Sequence, residues 1–428
     1  NFRNNYEVTV DSFGTLWQSD NDDDGNKGVR INYVMEHGNF GYTDERTGAG
    51  WTSKRTNLET KIPARHWHQN DPGVVPNLLI TGGGSPTGIL VYEGTLLPPV
   101  FQGQMIHCDA GPNVVRAYPV TAAGAGYEAT IEDLVKSKDR WFRPSDCAVA
   151  PDGAVFVVDW FDPGVGGHQM GDHDPEVVGG RIYRVAPAGN QPKVPKFALD
   201  SVAGAIDALC SPNLARRYAG WTQLHAMGAK AEAELQQLLK GDNPRWRARA
   251  LHLLARIPGR AQAYVGQAIA DANADLRITG LRIATELGLD AVPLVRELKQ
   301  DPSPLVRRQC ALSLRSSQTS EAAALWAELA VQHDGEDRWY LEALGIGAAR
   351  NEDACFAAWQ AKVGDAWNTK AGRDIVWRSR SERALDLLVK ILSAEDGSVT
   401  EAEQAHFLRA FDFHTGPAKA AALKRLFD

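Results

Sequence analysis

The sequence is poor in the residues that mark several common classes of site. Its five cysteines are scattered, and none forms a CxxC or CxxCH pattern. This argues against a zinc ribbon and against covalent haem attachment within the chain. An odd, scattered set also argues against a disulfide framework, so we expect reduced, buried thiols.

Long apolar runs and excess positive charge are missing as well. No stretch of about 20 apolar residues occurs, which predicts that no segment spans a membrane. The formal net charge of −7 is the reverse of the basic surface that nucleic acid binding requires. The first residues, NFRNNYEV, already lead into a predicted strand, so we expect further sequence upstream of Asn1.

The residue pattern changes once along the chain. Up to about residue 196, short apolar strands alternate with Gly, Pro, Asn and Asp turns, and beyond about residue 200 Ala, Leu, Arg and Glu recur at helical spacing. The segment APAGNQPKVPKF between them has the composition of a linker. We therefore predict a multidomain β + α chain, with a β domain at 1–190, a linker at 191–199 and a helical domain at 200–428.

Two distant segments of the β domain share the same plan. YEVTVDSFGTLW at 6–17 and SDCAVAPDGAVFV at 145–157 each combine two short strands and a tight turn. An acidic loop follows each hairpin, and then a strand that begins with Arg, RINYV or RIYRV. Repeats of this kind are typical of β-propeller blades, so we predict a partial β-propeller, its C-terminal blades, with the acidic loops gathered at one mouth.

The helical domain also repeats. Arg217, Arg247, Arg277 and Arg307 are thirty residues apart, and Asp, Asn or Pro clusters that can cap a helix precede them. Helix pairs that stack in this way form an α-α solenoid of the HEAT-like type. We expect each repeated Arg to bind an Asp or a carbonyl of the neighbouring repeat, and the concave face could hold a partner.

One acidic segment could bind a metal ion. Asp20, Asp22 and Asp24 form D-x-D-x-D-G, the opening of an oxygen-rich calcium loop. The segment is not an EF-hand, because Ile31 occupies the twelfth position and the flanks read as strands. A solvated acidic turn and a loop that hydrogen-bonds a substrate are the alternatives.

Two histidine-containing segments could carry catalysis. His66 and His68 would face the same side of a strand, where they could share a metal or a ligand or pack between blades. His168, in a Gly-rich loop with Asp162 and Asp172, is a candidate general base oriented by a carboxylate.

Arg3-Asn4 and Arg143-Pro144 precede the first strands of the two hairpin copies. Both pairs would then lie near the same mouth, where two guanidinium groups suit an anionic ligand. Salt bridges between blades are the alternative.

The order of these motifs resembles that of a known group of enzymes. FRNNYEVTVDSFGTLWQSDNDDDGN, followed by RINYVMEHGNFGY, resembles the soluble quinoprotein glucose/sorbosone dehydrogenase propellers. A branch of this family, found in planctomycete and verrucomicrobial bacteria, is more similar still. Its members are the membrane-bound dehydrogenases with haem-binding CxxCH domains, and the segments that resemble them are HWHQNDPG, GGGSPTG, FRPSDCAVAPDG and DWFDPGVGGHQMGD. In that branch a propeller is followed by HEAT-like repeats and a cytochrome c domain.

The resemblance implies redox chemistry. A sugar or alcohol would be oxidised by pyrroloquinoline quinone beside calcium, a His would take the hydroxyl proton, and electrons would pass to a c-type cytochrome domain or subunit. Arg3, Asn4, Arg143 and His68 would contact the quinone, and the location would be the periplasm or cell envelope.

This chain also departs from the pattern of that group. Asp109-Ala110-Gly111 stands where a Lys is usual, no CxxCH follows the solenoid, and at ~40–45 residues a blade the β domain holds fewer blades than the family ring. Missing upstream sequence or another chain would complete the ring. A non-catalytic glycan- or protein-binding scaffold of the cell envelope, and a calcium-dependent propeller lactonase, are therefore alternative functions.

Overall fold

The computed structural model describes residues 1–23, 25–54, 56–164, 179–394 and 399–428. Within these ranges strands fill the first part of the chain, which we call the β half (1–190), and helices fill the helical half (200–428). The strands are β1 Val8–Val10, β2 Leu16–Asp20, β3 Val29–Tyr33, β4 Leu79–Gly82, β5 Pro86–Val91, β6 Met105–Asp109, β7 Val114–Tyr118, β8 Val120–Ala123, β9 Gly126–Ala129, β10 Glu132–Lys136, β11 Pro144–Val149, β12 Val155–Asp159 and β13 Arg181–Val185. The prediction of β structure followed by α structure is confirmed.

The strands form three main sheets of antiparallel neighbours. Their orders are β1-β2-β3-β4, β5-β6-β7-β10 and β11-β12-β13, with β8-β9 as a separate hairpin. The two predicted hairpins are present, and Gly14 and Gly153 supply the positive φ values, +82° and +90°, that their turns require. The first strands β1, β5 and β11 pack side by side. This is the arrangement expected of neighbouring blades, and closure into a ring stays a prediction.

Each sheet is fastened at the same point by an aspartate. The second strand ends in Asp20, Asp109 or Asp159, and its carboxylate accepts a backbone N–H from just before the first strand. The donors are Asn4, Ser85 and Arg143, each at 2.8 Å. The loops that follow these aspartates therefore leave the sheets at one end, which we call the mouth.

An arginine on the third strand completes this fastening. Arg30 lies 2.7 Å from Asp20 and Arg181 lies 2.7 Å from Asp159, but Arg116 is 3.8 Å from Asp109. The arginine that begins RINYV and RIYRV is therefore a structural partner of the preceding aspartate.

Fifteen α-helices follow one short α-helix of the β half within the described residues. The short one is α1 Ile62–His66. The others are α2 Val202–Leu209, α3 Leu214–Met227, α4 Glu232–Leu239, α5 Pro244–Leu254, α6 Ala261–Ile269, α7 Ala274–Glu286, α8 Ala291–Leu298, α9 Pro304–Ser313, α10 Ser320–Ala330, α11 Arg338–Ala348, α12 Glu352–Val363, α13 Lys370–Arg378, α14 Ala384–Leu392, α15 Glu401–Phe411 and α16 Gly416–Phe427. None of the described helices is long and apolar enough to cross a lipid bilayer.

The repeated features of the helical half are structural. Asn213, Asn243 and Asn273 cap α3, α5 and α7 by accepting backbone N–H groups of the first turn. Arg277 binds Asp301, and Arg247 binds Asp271 in the same way. Arg307 donates to the Asp301 carbonyl. The prediction that each repeated Arg binds an Asp or a carbonyl of the neighbouring repeat is confirmed for Arg247 and Arg277.

Arginines of the helical half also reach into the β half. Buried Glu93, in the loop after β5, receives Arg217, Arg245 and Arg249 at 2.6, 2.6 and 2.9 Å. Further along the stack, Arg409 binds Asp71. The surface that carries these arginines is therefore covered by the β half of the same chain. The division into separate domains at 191–199 stays a prediction.

Candidate functional site

Asp23, in the mouth loop after β2, is the best-placed exposed acceptor of this region. Its Oδ1 accepts a 2.6 Å hydrogen bond from Arg3 Nε, and its Oδ2 accepts one of 2.9 Å from Trp51 Nε1. About a third of the side chain, 34%, remains exposed. Burial acts to raise the pKa of Asp23, but the bonds from Arg3 and Trp51 outweigh it and lower that pKa. Asp23 is thus a fixed carboxylate with room for a further partner.

His66 lies behind this carboxylate at the end of α1. It is buried, and its Nδ1 lies 2.9 Å from Asn26 Nδ2 and 3.8 Å from Asp23 Oδ2. Because the amide of Asn26 donates to Nδ1, the ring proton belongs on Nε2, which has no hydrogen-bond partner in the described part of the chain. Burial first, and then the charges of Arg30 and Arg3, lower the pKa of His66 to about 4 despite Asp23. His66 is therefore neutral at pH 7.

Aromatic rings border the same place. The Trp51 and Tyr42 rings lie 6.0 and 5.9 Å from the His66 ring. Both rings are half-buried. We call this set the Asp23 cluster; its members are Arg3, Asp23, Asn26, Tyr42, Trp51 and His66. A carboxylate, a guanidinium and flat aromatic faces are the groups that bind polyhydroxylated ligands.

The prediction that His66 and His68 share one face of a strand is wrong. Pro63 opens a short helix that ends at His66, and His68 follows it with φ of +46°. His68 is buried, with Nδ1 2.8 Å from the Gly41 carbonyl oxygen and Nε2 3.1 Å from Asn57. Since both of its nitrogens have protein partners, His68 has no position left for a cofactor.

Asp20 does not fit a cation site. It is fully buried, and its carboxylate accepts bonds from the Arg30 side chain and from the backbone N–H groups of Arg3 and Asn4. Asp22 accepts the Gly28 N–H at 2.5 Å. Asp24 lies outside the described residues.

Among the residues that the structure describes, no group of three or more His, Cys, Asp and Glu side chains could hold a metal ion. With Asp20 assigned to the ion pair, calcium at Asp22 and Asp24 stays a proposal.

Arg143 does not fit an anionic cofactor. Its guanidinium donates to the carbonyl oxygens of Ala110, Gly111, Asp162 and Pro163, at 2.8 to 3.3 Å. Because these bonds use the donors of a buried side chain, Arg143 ties two mouth loops together. Arg3 and Asn4 remain partly exposed at the mouth.

The proposed acid–base pair is only partly described. Asp162 is buried, and its Oδ1 accepts the Gly164 N–H at 2.6 Å. His168 and Asp172 lie outside the described residues. Asp162 therefore has a loop-forming contact, and its catalytic role stays a prediction.

The structure thus brings Arg3, Asp23 and His66 together. Arg143 and Asp162 belong to a separate set of hydrogen bonds that joins two mouth loops. The sequence did not single out Trp51 or Asn26. Trp51 is 28 positions beyond Asp23, in a Gly- and Thr-rich loop without periodicity. A lone Trp in a polar loop is the one signal that points to it.

Comparison with known proteins finds a matching family model and several solved structures. A family model described as a domain of unknown function (DUF7133) matches residues 1–189. A crystal structure from Thermus thermophilus, described as an oxidoreductase (glucose dehydrogenase), shares 17% identity over 42% of this chain, with a TM-score of 0.29. The match spans 45% of that protein. No curated protein matches this chain.

Proposed function

We propose that this protein binds a sugar or related alcohol at the Asp23 cluster and oxidises it as a quinoprotein-type dehydrogenase. The observation that carries the proposal is the exposed Asp23 carboxylate, held by Arg3 and by the indole N–H of Trp51. The motif order of the β half supports the redox class. The location would be the periplasm or cell envelope, with a c-type cytochrome as electron acceptor.

In this site Asp23 would accept a hydrogen bond from a ligand hydroxyl. The Trp51 ring would pack against the apolar face of a sugar, and Arg3 would hold the carboxylate in position. His66 is too buried to meet the hydroxyl directly, and its unprotonated Nδ1, 3.8 Å from Asp23 Oδ2, has no proton to donate to that carboxylate. Asp23 is therefore the group of this cluster that contacts substrate.

Pyrroloquinoline quinone, when bound, would supply the hydride acceptor. Of the residues expected to hold it, Asn4 is exposed and Arg3 is partly exposed, whereas Arg143 and His68 have their polar atoms engaged. The quinone therefore has fewer protein partners here than the resemblance implies.

A non-catalytic glycan-binding scaffold is the second candidate. It is favoured by the assignment of Asp20 and Arg143 to structural bonds and by the complete burial of the His66 ring. These observations leave Asp23 and Trp51 partly exposed, whereas His66 and Asp162, two of the expected catalytic residues, are buried.

The test uses the full chain with pyrroloquinoline quinone and calcium added. Dye-linked oxidation and calorimetric binding would be measured over a panel of sugars and alcohols. We expect Asp23→Asn and Trp51→Ala to weaken binding at least about tenfold, since each removes a direct contact. Trp221→Ala in α3 is the matched control and should bind as the wild type does.

The outcomes separate the two candidates. Quinone-dependent turnover that Asp23→Asn lowers supports the dehydrogenase. Binding without turnover supports the scaffold. If no sugar or alcohol binds, or if Asp23→Asn binds normally, both candidates are wrong.

A further inference from the structure

A second polar cavity lies between the two halves, apart from the Asp23 cluster. It has a volume of about 580 Å³. Its polar lining includes Asn39, Thr43 and Glu45 of the β half and Arg315, Arg378 and Arg380 of the helical half. Tyr42 belongs to the Asp23 cluster and Thr43 lines this cavity, so one loop separates the two sites. We call it the inter-half cavity.

The helical wall of the inter-half cavity carries more positive than negative charge. Buried Glu342 is shared by Arg338 and Arg378, so it neutralises only one of them. Glu45 neutralises Arg380, at 3.2 Å. Asp44, on the opposite wall, is bound by Arg409.

The remaining pair of arginines is also under-neutralised. Arg315 has the positive charge of Arg350 and the negative charge of Glu352 near it. Burial first, and then the charge of Arg350, lower the pKa of Arg315. Burial and the charge of Arg378 lower the pKa of Arg380 to about 10. The arginines therefore repel one another, and a bound anion would relieve that repulsion.

Several donors on this wall have no protein acceptor within the described residues. Arg378 uses only Nε, toward Glu342, and Arg315 uses only Nη1, toward the Ile346 carbonyl at 3.1 Å. Arg380 Nη1 is shielded from solvent and has no partner in the described chain. Guanidinium forks with free N–H groups are the protein groups that best bind carboxylates.

We propose that the inter-half cavity binds a sugar acid, a carbohydrate that carries a carboxylate. Its carboxylate would lie against Arg315 and Arg378, and its hydroxyls would face Asn39 and Thr43 on the opposite wall, where both residues also hydrogen-bond Asn1. The volume exceeds what an inorganic ion fills, and the polar walls suit hydroxyls better than an apolar ligand. This site is independent of the function proposed for the Asp23 cluster.

The test is calorimetric titration of the full chain with D-glucuronate, D-glucose and inorganic phosphate. We expect glucuronate to bind and glucose to bind at least about tenfold more weakly here, because it lacks the charge. Arg315→Ala should weaken glucuronate binding at least about tenfold. Arg296→Ala, which removes an exposed arginine of α8, is the matched control and should leave it unchanged.

Two further variants test glucuronate binding in this cavity if Arg315→Ala folds poorly. Glu352→Gln removes a competing carboxylate and should raise glucuronate affinity several-fold. Asp23→Asn should not alter glucuronate binding, which separates this site from the Asp23 cluster. The proposal is overturned if glucuronate does not bind, if phosphate binds equally tightly, if Glu352→Gln leaves the affinity unchanged, or if Asp23→Asn abolishes binding.

Discussion

Asp109 is the member of the three mouth aspartates whose charge is least compensated. It is fully buried, and Arg116 stays 3.8 Å away, whereas Asp20 and Asp159 have arginines at 2.7 Å. Burial raises the pKa of Asp109 to about 6, and the Ser85 N–H and Arg116 only partly oppose it. Its ionised form is therefore unfavourable in the folded protein.

This predicts a pH-dependent effect of Asp109→Asn. A carboxyl whose folded pKa is raised contributes stability below its unfolded pKa and loses it as pH rises through about 6. Relative to wild type, the free energy of unfolding of Asp109→Asn should therefore rise by about 2 kcal/mol between pH 4.5 and 7.5. Urea unfolding at a series of pH values measures it. Asp242→Asn, at an exposed turn, should show a flat difference, and a flat difference for Asp109→Asn would contradict the assignment.

The acidic motif shows what the sequence can and cannot predict for single residues. D-x-D-x-D-G correctly indicated an acidic mouth loop, and Asp23 within it is an exposed acceptor. The role of Asp20 could not be read from that spacing, because its partner Arg30 lies across a β-pair. The same spacing of aspartates occurs in a cation site and in a turn held by an ion pair. Only the register of the strands, which places Arg30 opposite Asp20, distinguishes the two.

Between strands, the Arg30–Asp20 pair of the β1-β2-β3-β4 sheet is the most deeply buried of the three Arg–Asp pairs. Arg30 is fully buried, binds Asp20 and the Phe40 carbonyl, and lies 3.5 Å over the Trp67 ring. A buried ion pair that loses one partner leaves an unpaired charge, which is costly.

We therefore expect Arg30→Met to lower the free energy of unfolding by about 3–5 kcal/mol. Arg116→Met is the matched control, because the equivalent pair is longer and Arg116 is 17% exposed. It should cost less than Arg30→Met, because charges 3.8 Å apart attract each other less than charges 2.7 Å apart. Chemical denaturation of both variants at pH 7 compares them, and equal losses would contradict the difference between the sheets.

Helix capping gives a second prediction at this scale. Asn243 caps α5 with its side chain, whereas Ser303, at the start of α9, makes no side-chain cap bond. Asn243→Ala should therefore cost about 1 kcal/mol of stability, and Ser303→Ala close to zero. Thermal unfolding followed by circular dichroism measures both, and an equal cost would show that the Asn243 bond is not what stabilises α5.

Elements were predicted where local signals were strong. Glycines at turn positions predicted the hairpins, and capping residues before each repeated Arg predicted the helix pairs. The segment around His66 was missed because Pro63, a residue favoured in a first helical turn, lies in a run too short to show helical periodicity. Closure of the sheets depends on partners that no local signal encodes.

For the whole molecule, Glu93 is the central link between the two halves. It is buried in the β half, bound by three arginines of the helical half and by Ser12. Burial acts to raise the pKa of Glu93, but Arg217, Arg249 and Arg245 outweigh it and lower that pKa to about 2.

Glu93→Gln should therefore weaken the protein mainly above pH 4.5. A carboxyl with a lowered folded pKa contributes stability above its unfolded pKa and loses it as pH falls from 4.5 toward 2. The variant should lose about 3 kcal/mol of unfolding free energy at pH 7 and much less at pH 3. Glu286→Gln, at an exposed pair, is the control and should change little. A pH-independent loss for Glu93→Gln would contradict the ion-pair assignment.

Long-range contacts of this kind mark the limit of prediction from the sequence. Glu93 and Arg249 are 156 positions apart. The strand pattern around Glu93 and the helix pattern around Arg249 each carry no signal that the other residue is a partner. The repeat predicted that Arg217 would bind a neighbouring repeat, but at the first position of the ladder the partner is in the β half.

The glycines at this boundary have a consequence for the modularity of the chain. A side chain at Gly126 would come within 2.0 Å of Trp339, and one at Gly103 within 2.8 Å of Arg245. The surfaces of the two halves are therefore complementary in shape at these two contacts. A chimera that joined this β half to the helical half of a relative would bring such side chains into collision at these points, so the two halves must change together as sequences diverge.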